Sequence, residues 1–221
     1  MREVGEIVLC DGGSTDKTRE IAARLGVRVL DCESNRGAQM NAGAQISTCD
    51  ILWFLHADAL PPRSGAQRIV AACNGLKLQR QTRHQVLDVY ETTVIGGNFR
   101  LRFDSHRAAS HIFAILARAM RSCGFYYGDS AIWVRRDVFE QLGGFQIWPL
   151  FEDYDFARRL EKHARQNGCK TVCIAPPVVV SSRRFGSSTR SSARLLWRWA
   201  YLQTLFWLGV APEKLAQIYR K

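Results

Sequence analysis

The stretch Cys10-Asp11-Gly12-Gly13-Ser14-Thr15-Asp16 decides how this chain is read. An apolar run, Ile7-Val8-Leu9, precedes it, and a helical pattern from Thr18 to Leu25 follows. A strand, a Gly-rich turn and a helix start gather backbone N–H groups at a helix N-terminus, where negative charge is favoured. Asp11, an acid at the strand end, is poorly matched to a phosphate and better matched to a base edge or a ribose hydroxyl. The turn therefore reads as a nucleotide site containing Asp11 and Gly13. An ordinary strand–turn–helix with Ser14 or Asp16 as N-cap accounts for the same residues.

Outward from this turn, helical and strand patterns alternate. The periodicity predicts strands over 4–10, 27–30 and 50–56 and helices over 16–26, 36–46 and 64–74, an α/β domain with a mostly parallel sheet. Residues 75–92 are polar and aperiodic, an insertion or irregular excursion. Thr93 to Phe103 is β-rich, with Gly96-Gly97 marking a bulge. A basic amphipathic helix is predicted over 106–122, strands over 129–135 and within 170–180, and helices over 137–142, 153–166 and most of the last forty residues.

The chain has 221 residues, 47% of them apolar, enough for one domain with a sizeable core. Its net charge of +11 points to anionic partners. No zinc-finger, RNP-type or basic-zipper pattern appears, so specific nucleic-acid binding is not expected. The seven cysteines are scattered, mostly in apolar runs and without zinc-type spacing. They read as reduced core residues of a cytoplasmic protein. The start, Met1-Arg2-Glu3-Val4, has no signal-peptide pattern.

Two further constellations carry chemistry. In Leu52-Trp53-Phe54-Leu55-His56-Ala57-Asp58 a buried strand delivers a carboxylate at its C-terminal end, where ligands bind in open α/β sheets. A hard cation such as Mg²⁺ or Mn²⁺ takes one or two carboxylates plus substrate phosphates, which makes Asp58 the candidate ligand. His56 is either a second ligand, a diphosphate donor or a packed core residue. In Pro149-Leu150-Phe151-Glu152-Asp153-Tyr154-Asp155, three acids in four positions open a helix. The macrodipole favours acids there, and a carboxylate at a helix mouth also suits a general base. Asp153 is the chosen base, with Glu152 supporting it or contacting the acceptor, and Asp155 capping or pairing with a basic side chain.

These motifs, in this order, resemble family-2 glycosyltransferases of the GT-A fold, and more narrowly the subgroup associated with radical-SAM and selenodomain proteins. The resemblance rests on Asp11–Asp16, Asn35-Arg36-Gly37-Ala38-Gln39-Met40-Asn41-Ala42-Gly43-Ala44, Phe54–Asp58, Gly97–Leu101, Tyr127-Gly128-Asp129, Val134–Arg136, Gly143–Phe145, Pro149–Asp153 and Ser182-Arg183-Arg184-Phe185. It implies a single domain: a nucleotide-binding part over about 1–60, an acceptor and catalytic part over about 93–185, and C-terminal helices over about 189–220. It further implies a metal-dependent, inverting transfer of a sugar from a UDP- or GDP-linked donor to an acceptor hydroxyl. Asp11 would contact the base, Asp58 the metal and Asp153 the acceptor hydroxyl. His56 stands at the first position of the usual Asp-X-Asp motif. Gly13, Asn35, Arg36, Arg183 and Arg184 join the nucleotide and diphosphate side, where a planar guanidinium suits phosphate. Tyr126, Tyr127, Phe145 and Trp148 are candidates for the acceptor pocket or for core.

The chain departs from this pattern at its start, where the family has an apolar strand, an Asn-Glu pair and a helix ahead of the strand that here begins at Val4. The expectation is a truncated start, with a gap beside the Val4–Cys10 strand or another segment filling it. A non-catalytic nucleotide-sugar-binding or scaffold protein is the alternative to the enzyme. The tail, Leu195 to Leu208, is apolar and aromatic, with Arg190, Arg194 and Arg198 spaced on one helical face. It fits a helix packed on the core or a peripheral contact with an anionic membrane.

Overall fold

The computed structural model describes residues 4–74, 93–105, 108–183 and 189–220. Strand β1 (Val8–Asp11) leads through the Gly-rich turn to α1 (Thr18–Arg24), β2 (Arg28–Asp31) and α2 (Arg36–Ile46). Helix α2 begins where the sequence predicts because Asn35 caps it, its Oδ1 accepting from Ala38 N at 3.0 Å. Then come β3 (Ile51–Trp53), β4 (Ala59–Leu60), α3 (Gly65–Cys73), β5 (Val94–Phe103) and α4 (Ala108–Ser122). A 3₁₀ turn at Gly128–Ser130 precedes β6 (Trp133–Arg135), α5 (Arg136–Gln141), α6 (Glu152–Gln166), β7 (Lys170–Val180), α7 (Thr189–Trp207) and α8 (Pro212–Arg220). The segment 75–92, read as an excursion, lies outside the described residues, as do Arg184 and Phe185.

The α/β architecture with flanking helices is as expected, but the sheet is mixed rather than mostly parallel. β1 and β2 form a separate parallel pair, and the other strands form a five-stranded sheet in the order β3-β6-β5-β7-β4. There β5 and β7 pair in parallel, while β3–β6, β5–β6 and β4–β7 are antiparallel. The short β6 reverses direction because it returns from the 3₁₀ turn at one end of the sheet. The register slips between Val94 and Gly96, which places the bulge at the predicted glycines. Among the described residues no strand pairs with the second edge of β1 or with the outer edge of β3. The approaches to these two edges lie side by side: Glu6 accepts from Thr48 N at 3.0 Å.

Three buried clusters hold the rest together. The first packs β3, β5 and β6 against α5 and α6 around Phe139, Phe145, Phe156 and Leu160. The second lies around Trp133, Phe99, Ile69 and Val178. The third joins Leu150, Phe151 and Tyr154 to Leu202 of α7 and Leu215 of α8. Tyr126 and Phe145 belong to the first cluster, so of the four aromatic pocket candidates these two are core. The cysteines correct the sequence reading. All are free, as expected, but none is fully buried: Cys169 and Cys73 pack at the margins of the first and second clusters, and Cys123 and Cys173 are exposed.

Candidate active site

Asp11 is buried, and its own turn engages it. Its carboxylate accepts from Ser14 N at 3.0 Å, from Gly13 N at 3.3 Å and from the Ser14 hydroxyl. The Ser14 hydroxyl bond chiefly holds its carboxyl below the ordinary value, with the two backbone donors adding to it. Gly13 makes the turn possible by taking φ +94°, which a side chain would strain. Asp11 is thus fixed at the C-terminal end of β1.

The second wall forms around Gly128. Asp153, in the first turn of α6, accepts from Gly128 N at 2.7 Å through Oδ2. His56 approaches the same face of this glycine. A Cβ built on Gly128 would stand 2.8 Å from His56 Nε2 and 2.9 Å from Asp153 Oδ2. A bare backbone there lets an imidazole, a carboxylate and the 3₁₀ turn share one small volume. The sequence separates these residues by about a hundred positions, and the structure brings them together.

Glu152 sits behind Asp153 and is only 1% exposed. Arg36 Nε stands 2.9 Å from its Oε1 as an ion pair, yet neither oxygen receives an aligned hydrogen bond among the described residues. Burial and the adjacent Asp153 push Glu152 up to about 7, while Arg36 pulls the other way. Asp155 pairs with Arg159 at 2.7 Å, as expected of it.

Asp58 is partly exposed and pairs with Arg183 at 3.1 Å, so the candidate metal ligand and the candidate diphosphate cation already meet. The described residues include no group of three or more His, Cys, Asp or Glu side chains that would cage a cation. A single carboxylate suits Mg²⁺ or Mn²⁺, which keep waters and substrate phosphate oxygens in their shell. The residues present fit such an ion at Asp58.

Residues 2–143, more than half of the chain, match the family described as Glycosyl transferase family 2. The chain belongs to that family. Its GT-A-like fold is shared with solved structures. The mannosyltransferase PcManGT from Pyrobaculum calidifontis, in complex with GDP-Man and Mn²⁺, is 21% identical with a TM-score of 0.50, over 90% of this chain and 52% of that one. Glucosyl-3-phosphoglycerate synthase from Mycobacterium tuberculosis, in complex with Mn²⁺, UDP and glucosyl-3-phosphoglycerate, is 14% identical with a TM-score of 0.48, over 80% and 60% respectively. The chain therefore spans a little over half the length of these proteins. No curated protein sequence matches it.

In this glycosyltransferase domain the segment from Asn35 to Ala44 has a use that the sequence did not suggest. Asn35 donates to Trp148 O at 3.4 Å besides capping α2. Asn41 makes two reciprocal bonds with the Phe145 backbone, each 2.8 Å, and Gln39 donates to Cys10 O at 2.9 Å. With the Arg36–Glu152 pair, α2 clamps the β1–β2 unit to the loop ahead of α6. Arg136 completes the seam, donating to Ala44 O, Ser47 O and Cys49 O. The sequence signal for these clamps was the density of amide side chains in α2, which a solvent-facing helix does not need.

Proposed function

We propose that the chain transfers a sugar from a nucleoside diphosphate donor, UDP- or GDP-linked, to an acceptor hydroxyl, with inversion at the anomeric carbon. The observation that carries this reading is the meeting of Asp153 and His56 at Gly128. Asp153 takes the acceptor proton from the mouth of α6, its carboxylate oriented by the Gly128 N–H. Arg183 neutralises the diphosphate beside Asp58, and Asp11 with the Gly13 turn receives the nucleoside. Asp58 would hold a divalent cation, which would neutralise the charge on the leaving nucleoside diphosphate. PcManGT was solved with GDP-Man and Mn²⁺, which supports a donor of this class. The domain division follows: nucleotide side over about 1–60, acceptor and catalytic side over about 93–185.

Binding and turnover are measured with UDP- and GDP-sugars and Mn²⁺. Asp153→Asn is expected to keep donor binding and lose turnover by about 10²–10⁴-fold. Asp58→Ala is expected to lose the metal-dependent part of binding. Normal turnover by the Asp153→Asn chain would remove the base assignment. A second reading, nucleotide-sugar binding without transfer, is favoured by one observation: the β1 edge beside Asp11 has no strand partner among the described residues. Binding without turnover, unchanged in Asp153→Asn, would select it.

A further inference from the structure

Helix α7 has two faces of different character. Leu202 and Gln203 are buried, and Leu202, with Trp199, Leu205 and Phe206 partly buried around it, belongs to the third cluster. The opposite stripe leaves Trp197 76%, Tyr201 46%, Trp207 57% and Leu208 74% exposed. Large aromatic residues left in water at this spacing mark an interaction surface.

The charge around the stripe says what covers it. Along α7 itself the sequence contains no Asp or Glu and three Arg, and the next acid is Glu213 in the first turn of α8. Arg194 is exposed one turn before Trp197, on the same face. Arg198 corrects the sequence expectation of three arginines on one face. It turns inward, donating to Ile218 O at 3.2 Å and to Tyr219 O, and so closes the C-terminal end of α8. Inside the helix, Arg198 leaves the outer stripe aromatic and apolar, with cationic charge at its N-terminal end.

We propose that the outer stripe of α7 lies on an anionic lipid surface, Trp197, Tyr201 and Leu208 entering the headgroup boundary and Arg194 pairing with phosphate; Trp207, whose indole N–H donates to the Tyr154 hydroxyl at 2.9 Å, stays with the protein. Tryptophan and tyrosine have an apolar body and a polar tip, the chemistry of that boundary. Among the described residues no helix is long and apolar enough to cross a membrane, so the contact is in-plane. The mode follows from the stripe: apolar area for insertion, basic charge for choice of leaflet.

Sedimentation of the full chain with phosphatidylcholine vesicles, with or without about one-third phosphatidylglycerol, tests this. Binding is expected to be about tenfold or more stronger on the anionic vesicles and to fall with salt. Brominated lipid is expected to quench Trp emission of the unsubstituted chain. Trp197→Glu/Leu208→Glu should lose about tenfold or more of the binding, and Leu25→Glu, at an exposed apolar residue of the N-terminal region, should retain it. Equal binding to both vesicle types, absence of quenching, or equal loss in Leu25→Glu would overturn the proposal. So would a stable dimer by light scattering that Trp197→Glu/Leu208→Glu dissociates, since the stripe would then belong to a second copy.

Discussion

The β1–β2 pair and the five-stranded sheet are built from similar residues and held by different means. The larger sheet is buried on two faces by clusters around Phe156 and Trp133. The pair has no comparable cluster: Ile7, Ile21 and Leu25 remain exposed, and Ala22 and Asp11 are the residues it buries. What holds the pair is α2, which lies close on β1 where Gly43 meets Cys10, sends Ala44 and Met40 into the first cluster and adds its side-chain clamps. One half of the candidate site therefore stands on packed core and the other half on a single helix and its directed polar bonds. Packed core resists any displacement, whereas a small set of hydrogen bonds fails when one donor is lost.

The largest expected difference is in local opening. Amides of β5 and β7 should exchange with the global stability of the chain, and those of β1 and β2 at least about 10³-fold faster by mass spectrometry or NMR. Equal protection would mean that the pair is stabilised by something besides the seam. Asn41→Ala tests the seam directly. It leaves the Phe145 N–H and C=O without their partners, a cost of about 2–4 kcal/mol by thermal or denaturant unfolding, with exchange rising first in β1–β2. The third effect is smaller and depends on pH. Glu152 holds its proton more tightly in the folded chain than its ordinary 4.5. Stability should therefore fall as pH rises from about 4.5 to about 7 and stay level above, with a total loss of up to about 3 kcal/mol. Glu152→Gln should flatten that slope. A slope that survives the substitution assigns it to other groups.

Much of this arrangement is legible from residues alone. Helix α2 is read to the residue from the pattern over 36–46, although Asn35, assigned by resemblance to the nucleotide side, is its cap, and the bulge in β5 is marked by Gly96-Gly97. The acidic mouth of α6 is visible in Glu152-Asp153. Strand direction is not, since Trp133-Val134-Arg135 has the same pattern whether it pairs parallel or antiparallel. The two-residue β4 beside Pro61 carries too few residues for a period. The meeting of His56 with Asp153 and the clasp between Asn41 and Phe145 join helix residues to loops about a hundred positions away. No local pattern encodes such contacts. Arg198 fails for a related reason: helical spacing places it among Arg190 and Arg194, but the α8 carbonyls compete for its guanidinium.

The clasp of Asn41 on Phe145 imitates one rung of a β-ladder, with an amide side chain standing in for a peptide group. Two parallel bonds of this kind fix separation and leave rotation about their common line soft. The other end of α2 removes that freedom, because Asn35 reaches Trp148 O and Arg36 pairs with Glu152. The distance and the angle between the Asp11 turn and the acidic mouth of α6 are thus both set by the side chains of one helix.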